Sequence, residues 1–359
     1  MNKTVLCLLL ACTLSWSYAQ SYKSFRPGEP WKDNHNVDIN AHGGGILLHK
    51  NVYYWFGEHK TEGKGGNVAN VGVHCYSSKD LYNWKDEGVA LQVSDDPASD
   101  IAKGCILERP KVIYNAKTKK FVMWFHLELK GQKYSSARSG IAVADKITGP
   151  YIFLRSVRSN PGVWPVNAPA FFRDTTTTLT DYIRDHEKGQ MQRDMTLFVD
   201  DDGKAYHIYA SEENRTLQIA ELTDDYLNHS GKYARAFPGR LMEAPAIFKK
   251  DGLYYFMGSG CTGWNPNAAR SAVAPSIWGP WTELGNPCSG KDAELTYHSQ
   301  STYILPVAGK KNAYIYIGDR WTPANAIDGR YIWLPIDFVG DHFEIRWTPE
   351  WDLSYFDKY

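Results

Sequence analysis

Beyond its first residues, this 359-residue chain has no apolar run approaching the roughly 18 residues that cross a bilayer as a helix, which excludes a helical span in the body of the protein. Charge of one sign is also missing. Forty Lys and Arg stand against 40 Asp and Glu, and no segment concentrates the bases, so the footprint of a nucleic-acid or anionic-membrane binder is absent and a neutral partner is favoured. Cysteine is scarce: after the leader only Cys75, Cys105, Cys261 and Cys288 occur, with no CxxC pair or His-rich spacing, which excludes the usual zinc sites. Four thiols allow three pairings, and Cys261 with Cys288 is the one expected if a bridge forms. Helical periodicity is nearly absent.

What is present is turn-forming and aromatic. Thirty Gly, 18 Pro and an aromatic share of 14% describe a turn-rich globular protein. The opening MNKTVLCLLLACTLSWSYAQS has one Lys, a short apolar run, and Ser17 and Ala19 at the spacing a signal peptidase needs. It predicts an export signal over 1–19, a periplasmic or secreted product, and a single domain over 20–359. Acylation at Cys12 is the alternative; the apolar run continues past that residue, which argues against it.

One pattern recurs five times: HGGGILLHKNVYYWFG from His42, ERPKVIYNAKTKKFVMWF from Glu108, DMTLFVDDDGKAYHIY from Asp194, EAPAIFKKDGLYYFMG from Glu243 and QSTYILPVAGKKNAYIYIG from Gln300. Each copy opens on a polar residue, enters an apolar pair four residues later, turns through Gly, Asp, Asn or Lys, and returns in an aromatic-rich strand. That is a β-hairpin. Strand-like runs between the copies, such as VGVHCYSSKDLYNWKDEG, supply a second hairpin each. Five four-stranded units repeated around an axis predict an all-β, five-bladed β-propeller. A β-sandwich is the alternative, and it would not explain why the polar starter keeps its register.

In a propeller the first strand of each blade lines the central channel, so His42, Glu108, Asp194, Glu243 and Gln300 are expected to converge at one mouth. Three carboxylates in one cavity would raise the pKa of one of them toward the range of a general acid. Trp55, Trp264 and Trp321 follow inner hairpins, where flat aromatic faces could meet sugar rings. The DDDG at 200–203 is read as hairpin-tip turn chemistry, because the remainder of a calcium loop is missing.

The motifs NAHGGGILLHKNVYYWFGE, ERPKV, RDMTLFVDDDG, MEAPAIFK, SGCTGWNPN and SQSTY resemble glycoside hydrolase family 43, in particular its exo-β-1,3-galactanase branch, from about residue 30 onward. The resemblance implies an inverting exo-glycosidase that removes terminal β-1,3-linked galactose from arabinogalactan-type chains. It implies Glu243 as general acid, Glu108 as the residue that orients it and raises its pKa, and Gln300 as a contact of the attacking water. It also implies Asp194, Glu58 and Thr262 as partners of sugar hydroxyls; His42, from its place in the ring, and Trp55, Trp264 and Trp321, from theirs after inner hairpins, complete the expected substrate site. His42 departs from the wider family, whose base at that position is an Asp, so the base stays open between Gln300 and His42. A galactofuranosidase, an arabinofuranosidase or a non-catalytic sugar-binding propeller are the alternatives. No cofactor or metal is expected, although some relatives hold calcium in the channel. A monomer with an oligo- or polysaccharide partner is expected.

Overall fold

The computed structural model describes residues 21–169, 180–263 and 265–358. The leader with Cys12, and Trp264, lie outside the described residues. The strands form five sheets. The first holds β1 (His42–His49), β2 (Val52–Lys60), β3 (Asn70–Ser78) and β4 (Lys85–Gln92). The second holds β5 (Ile106–Asn115), β6 (Lys120–Glu128), β7 (Arg138–Ala144) and β8 (Ile152–Val157). The third runs β9 (Met195–Val199), β10 (Ala205–Ser211), β11 (Thr216–Leu222) and β12 (His229–Ala236). The fourth runs β13 (Met242–Lys250), β14 (Leu253–Gly260), β15 (Arg270–Ala274) and β16 (Thr282–Gly285). In the fifth, β18 (Gln300–Pro306), β19 (Tyr314–Arg320), β20 (Arg330–Val339) and β21 (His342–Arg346) are extended by the short parallel strand β17 (Cys288–Ser289).

Local chemistry sets these hairpins. Lys50 and Asn51 take φ of 50° and 62°, and Asp251 and Gly252 take 50° and 81°. Two successive left-handed residues make the hairpin turn whose twist matches that of the strands, and they fix the registers His49↔Val52 and Lys250↔Leu253. The innermost strands then touch in a ring: β1 meets β5, β5 meets β9, β9 meets β13, β13 meets β18, and β18 returns to β1. The architecture is a five-bladed β-propeller.

The seam between first and last blades is welded by aromatics. Phe25 N donates to Trp351 O at 2.7 Å and Trp351 N donates back to Phe25 O at 3.1 Å. Beside this bridge Phe25, Trp84, Trp333 and Trp55 share one core cluster. This corrects the expectation for Trp55. Its ring lies 5.1 Å from Trp333 and 4.6 Å from Tyr331 and is 1% exposed, so it packs between blades and meets no sugar. Trp55→Ala is expected to destabilise the fold by about 3–5 kcal/mol, as a buried indole does when truncated, read as a lowered urea midpoint with KM of the surviving folded protein unchanged.

Other differences are smaller. A helix the periodicity did not predict, α1 (Thr180–Lys188), stands between the second and third blades. Cys75, Cys105, Cys261 and Cys288 are all free thiols, so the expected Cys261–Cys288 pair does not form. The DDDG segment joins β9 to β10, and Asp200 reaches the next blade, where Lys249 Nζ donates to it at 2.6 Å and the Tyr254 hydroxyl also donates. Among the described residues no helix is long and apolar enough to cross a membrane.

Candidate active site

Three of the polar starters sit at a break in strand register, between His42 and Gly45, Glu108 and Lys111, and Glu243 and Ala246. The next residue in each case has a left-handed backbone, with φ of 60° at Gly43, 56° at Arg109 and 54° at Ala244. Glycine adopts this freely, whereas arginine and alanine need surroundings that hold them there. A carboxylate of the preceding blade does so each time. Asp319 Oδ2 accepts Gly43 N at 2.5 Å, Glu58 Oε1 accepts Arg109 N at 3.0 Å, and Asp194 Oδ2 accepts Ala244 N at 3.1 Å. A bulge bends the strand and leaves N–H groups outside the ladder; these carboxylates, two buried and Asp194 partly so, satisfy them and fix the bend that aims the starter side chain.

Four starters, Glu108, Asp194, Glu243 and Gln300, line one cavity of about 270 Å³, together with Arg109, His126, Tyr134, Asn214 and Trp321. Burial pushes the Glu243 carboxyl up to about 7, and the charge of Asp194 adds to this, while Arg109 and the Cys261 thiol, a hydrogen-bond donor, oppose it. Glu108 contributes least. Glu108 acts in the expected direction, raising the acid, but the larger like charge is Asp194. Asn214 Nδ2 donates to Glu243 Oε1 at 2.7 Å, which orients the carboxyl.

Glu108 has a different environment. Its Oε2 faces His126 Nδ1 at 3.0 Å, its Oε1 accepts the Tyr134 hydroxyl at 2.8 Å, and His126 Nε2 lies 2.9 Å from Glu128 Oε1. Burial alone would lower the imidazole, but carboxylates on both nitrogens hold it up at about 9. Burial would likewise raise Glu108, yet the bond and charge of His126 prevail and hold it down at about 2. The cavity thus pairs a carboxyl that keeps its proton up to about pH 7 with one that is ionised throughout the neutral range, set apart by their neighbours.

Arg109 joins the remaining starters. Its Nη2 lies 3.1 Å from Asp194 Oδ2 and also donates to Gln300 Oε1, while Nη1 donates to Ser301 O at 2.8 Å. The other end of the Gln300 amide donates to Ser259 Oγ at 2.8 Å. The amide plane is fixed from both ends. Below it Lys111 Nζ donates to Gly43 O at 2.7 Å.

The other expected residues are dispersed. His42 is 1% exposed, its ring tilted 42° against that of Trp321 at 4.7 Å, and among the described residues neither ring nitrogen has a hydrogen bond. Burial, reinforced by the charge of Lys60, lowers it to about 3, so it is a neutral ring that supports Trp321 and does not reach the cavity wall, a correction to its expected place in the ring. Glu58, fully buried, pairs with Lys60 Nζ at 2.9 Å and holds the Arg109 bulge, a correction to its expected contact with sugar. Thr262 lies on the exposed rim loop, where it accepts Asn267 Nδ2 at 2.7 Å. Arg109, His126 and Asn214 were not foreseen. The signal for His126 was present: His126 and Glu128 interrupt the apolar strand β6 two residues apart, on the face toward Glu108.

One metal-capable group occurs among the described residues: Glu108, His126 and Asp194 each offer a ligand atom within 4.8 Å of the others. Those atoms are already engaged, His126 by Glu108 and Asp194 by Arg109.

A family model described as glycosyl hydrolases family 43 matches residues 45–316. The chain belongs to this family. Among solved structures of family 43, it is 53% identical to a β-1,3-galactosidase determined with galactodeoxynojirimycin, covering 92% of this chain and 100% of that one at a TM-score of 0.85. It is 38% identical to an exo-β-1,3-galactanase from Clostridium thermocellum, over 92% of this chain and 67% of that one, TM-score 0.77. An exo-β-1,3-galactanase from Phanerochaete chrysosporium, solved with β-1,3-galactotriose, is 32% identical over 92% and 68%, TM-score 0.77. A curated β-D-galactofuranosidase of Aspergillus niger is 27% identical over 140 residues, a match that spans 38% of this chain and 40% of that relative. The family makes this protein a glycosidase.

Proposed function

We propose that the protein is an exported, exo-acting β-1,3-galactosidase that takes terminal galactose from galactan or arabinogalactan chains by inversion, without a metal or cofactor. The observation that carries the reading is the split pair of carboxyls, Glu243 held up at about 7 and Glu108 held down at about 2 in one cavity. Similarity to three β-1,3-galactose-active proteins supports the sugar and the linkage.

Glu243 gives its proton to the leaving glycosidic oxygen as the bond to the anomeric carbon breaks. Water attacks from the opposite face. Gln300 holds that water through its carbonyl oxygen. Because Arg109 donates into this oxygen, an O-protonated imidic acid is disfavoured, and Gln300 acts as an amide that positions the water and leaves its proton alone. The proton passes to the ionised Glu108 in the same wall. Trp321 supplies an apolar face for the galactose ring.

Incubation with β-1,3-galactotriose, arabinan and an aryl galactofuranoside tests the reading: galactose is expected from the first alone, and preferential cleavage of the furanoside would replace it. The pH profile gives a second test. The acid must be protonated, so kcat/KM is expected to fall about tenfold per pH unit above about 7, where free Glu243 ionises. Asp194→Asn removes the like charge and moves that limb to lower pH; Glu108→Gln removes the proton acceptor and lowers kcat at every pH.

A further inference from the structure

A second cavity, of about 300 Å³, lies beside the catalytic one. Gly263, Gln300 and Trp321 line both, so the two share a wall. Arg320 and Arg330 line only the second. They are direct cross-strand partners on β19 and β20, a position in which like charges repel and weaken a sheet. Burial depresses the Arg320 guanidinium; Asp292 opposes this, and the adjacent Arg330 adds a smaller lowering. Arg320 Nε donates to Tyr297 O at 3.0 Å and Arg330 Nε to Asp328 Oδ1 at 2.6 Å; among the described residues their terminal amino groups make no hydrogen bond.

The carboxylates nearby reach the pair only in part. Asp328 pairs with Arg330 through Nε at 2.6 Å and leaves the Arg330 terminal amino groups open, Asp292 acts on Arg320 through charge without a hydrogen bond and lies 3.7 Å from His298 Nε2, and Asp319, 1% exposed, holds the Gly43 bulge. Two guanidiniums on paired strands thus line one cavity with their terminal donors unspent, Arg320 lying 5.4 Å over the Trp347 ring and Arg330 bound to Asp328 through Nε alone. Planar forks of this kind bind a carboxylate with two parallel bonds.

We propose that the second cavity is a subsite for an acidic sugar unit of the substrate chain, whose carboxylate is held between Arg320 and Arg330. The assignment of that unit to a galactan rests on the function proposed above; the anion site itself rests on the arginine pair. A galactose in the catalytic cavity would share the Gln300 and Trp321 wall with its acidic neighbour, so the enzyme selects chains that carry uronic acid near the end being trimmed.

The test compares kcat/KM of the full protein on β-1,3-galactotriose, on the same oligosaccharide bearing a uronic acid, and on one bearing a sulfate ester. Wild type is expected to favour the uronate substrate by about tenfold at low salt. Arg330→Gln abolishes that preference and leaves the neutral substrate within about twofold, while Arg330→Lys, which keeps charge without the fork, retains part of it. Equal rates on neutral and uronate substrates in wild type would overturn the proposal, and a preference for the sulfate ester over the uronate would overturn the carboxylate assignment. Calorimetric titration with the uronate oligosaccharide separates this from failure of the galactosidase reading. Binding lost in Arg330→Gln upholds the anion site even if no galactan is cleaved, and binding equal in wild type and variant removes it.

Discussion

Glu243→Gln lowers kcat on β-1,3-galactan by about 10²–10⁴-fold, the usual contribution of a positioned general acid. The substitution keeps the shape of the side chain and its contact with Asn214, but removes the transferable proton. Activated aryl galactosides, whose leaving groups need no protonation, fall far less, and product galactose still binds. The loss is read as the ratio of kcat values on the two substrate types, variant against wild type. Equal losses on both would take the role from Glu243.

The second large effect belongs to Gln300. Gln300→Ala lowers kcat at least as severely as Glu243→Gln, because it removes the carbonyl that holds the attacking water and frees Arg109 to move against Asp194. Aryl substrates do not escape this loss, since water is needed whatever the leaving group. His42→Ala acts differently. The ring packs against Trp321 and is neutral, so its removal loosens that indole and raises KM while kcat stays near that of wild type. Steady-state kinetics on galactotriose distinguish these outcomes. A nearly active Gln300→Ala beside a His42→Ala that binds galactose without turning over would move the base to the histidine.

The hairpin repeat carried most of the fold, because a polar starter followed by an apolar pair and a turn survives in every blade. Four of the five starters reached the cavity for the same reason: strand period and bulge position are local properties. His42 did not, since register places a residue on the ring without fixing its depth, and Trp321 packs against it. Trp55 was misread for a related reason. Strands between blades are buried on both faces, so β2 shows no alternation that separates a core tryptophan from a platform. α1 escaped notice because its buried residues are Tyr182, Asp185 and His186, which trace no apolar stripe. The helix is held by ion pairs, with Asp185 2.8 Å from both Arg158 and Arg184.

The pairings that tune the site were the least legible. Asn214 reaches Glu243 from the turn after β10, where its backbone is left-handed at φ 62°, and nothing in either segment announces the partner. Arg109 stood in the ERPKV motif from the start. Its role became visible only when the ring brought Asp194 and Gln300 within reach of one guanidinium.

The central claim is a direct attack by water held at Gln300 while Glu243 protonates the leaving oxygen. Proton NMR of β-1,3-galactotriose hydrolysis, recorded in the first minutes before mutarotation, tests it most directly. The account predicts that the first galactose to appear is the α-anomer; β-galactose as the first product would mean retention through a covalent intermediate and would contradict it.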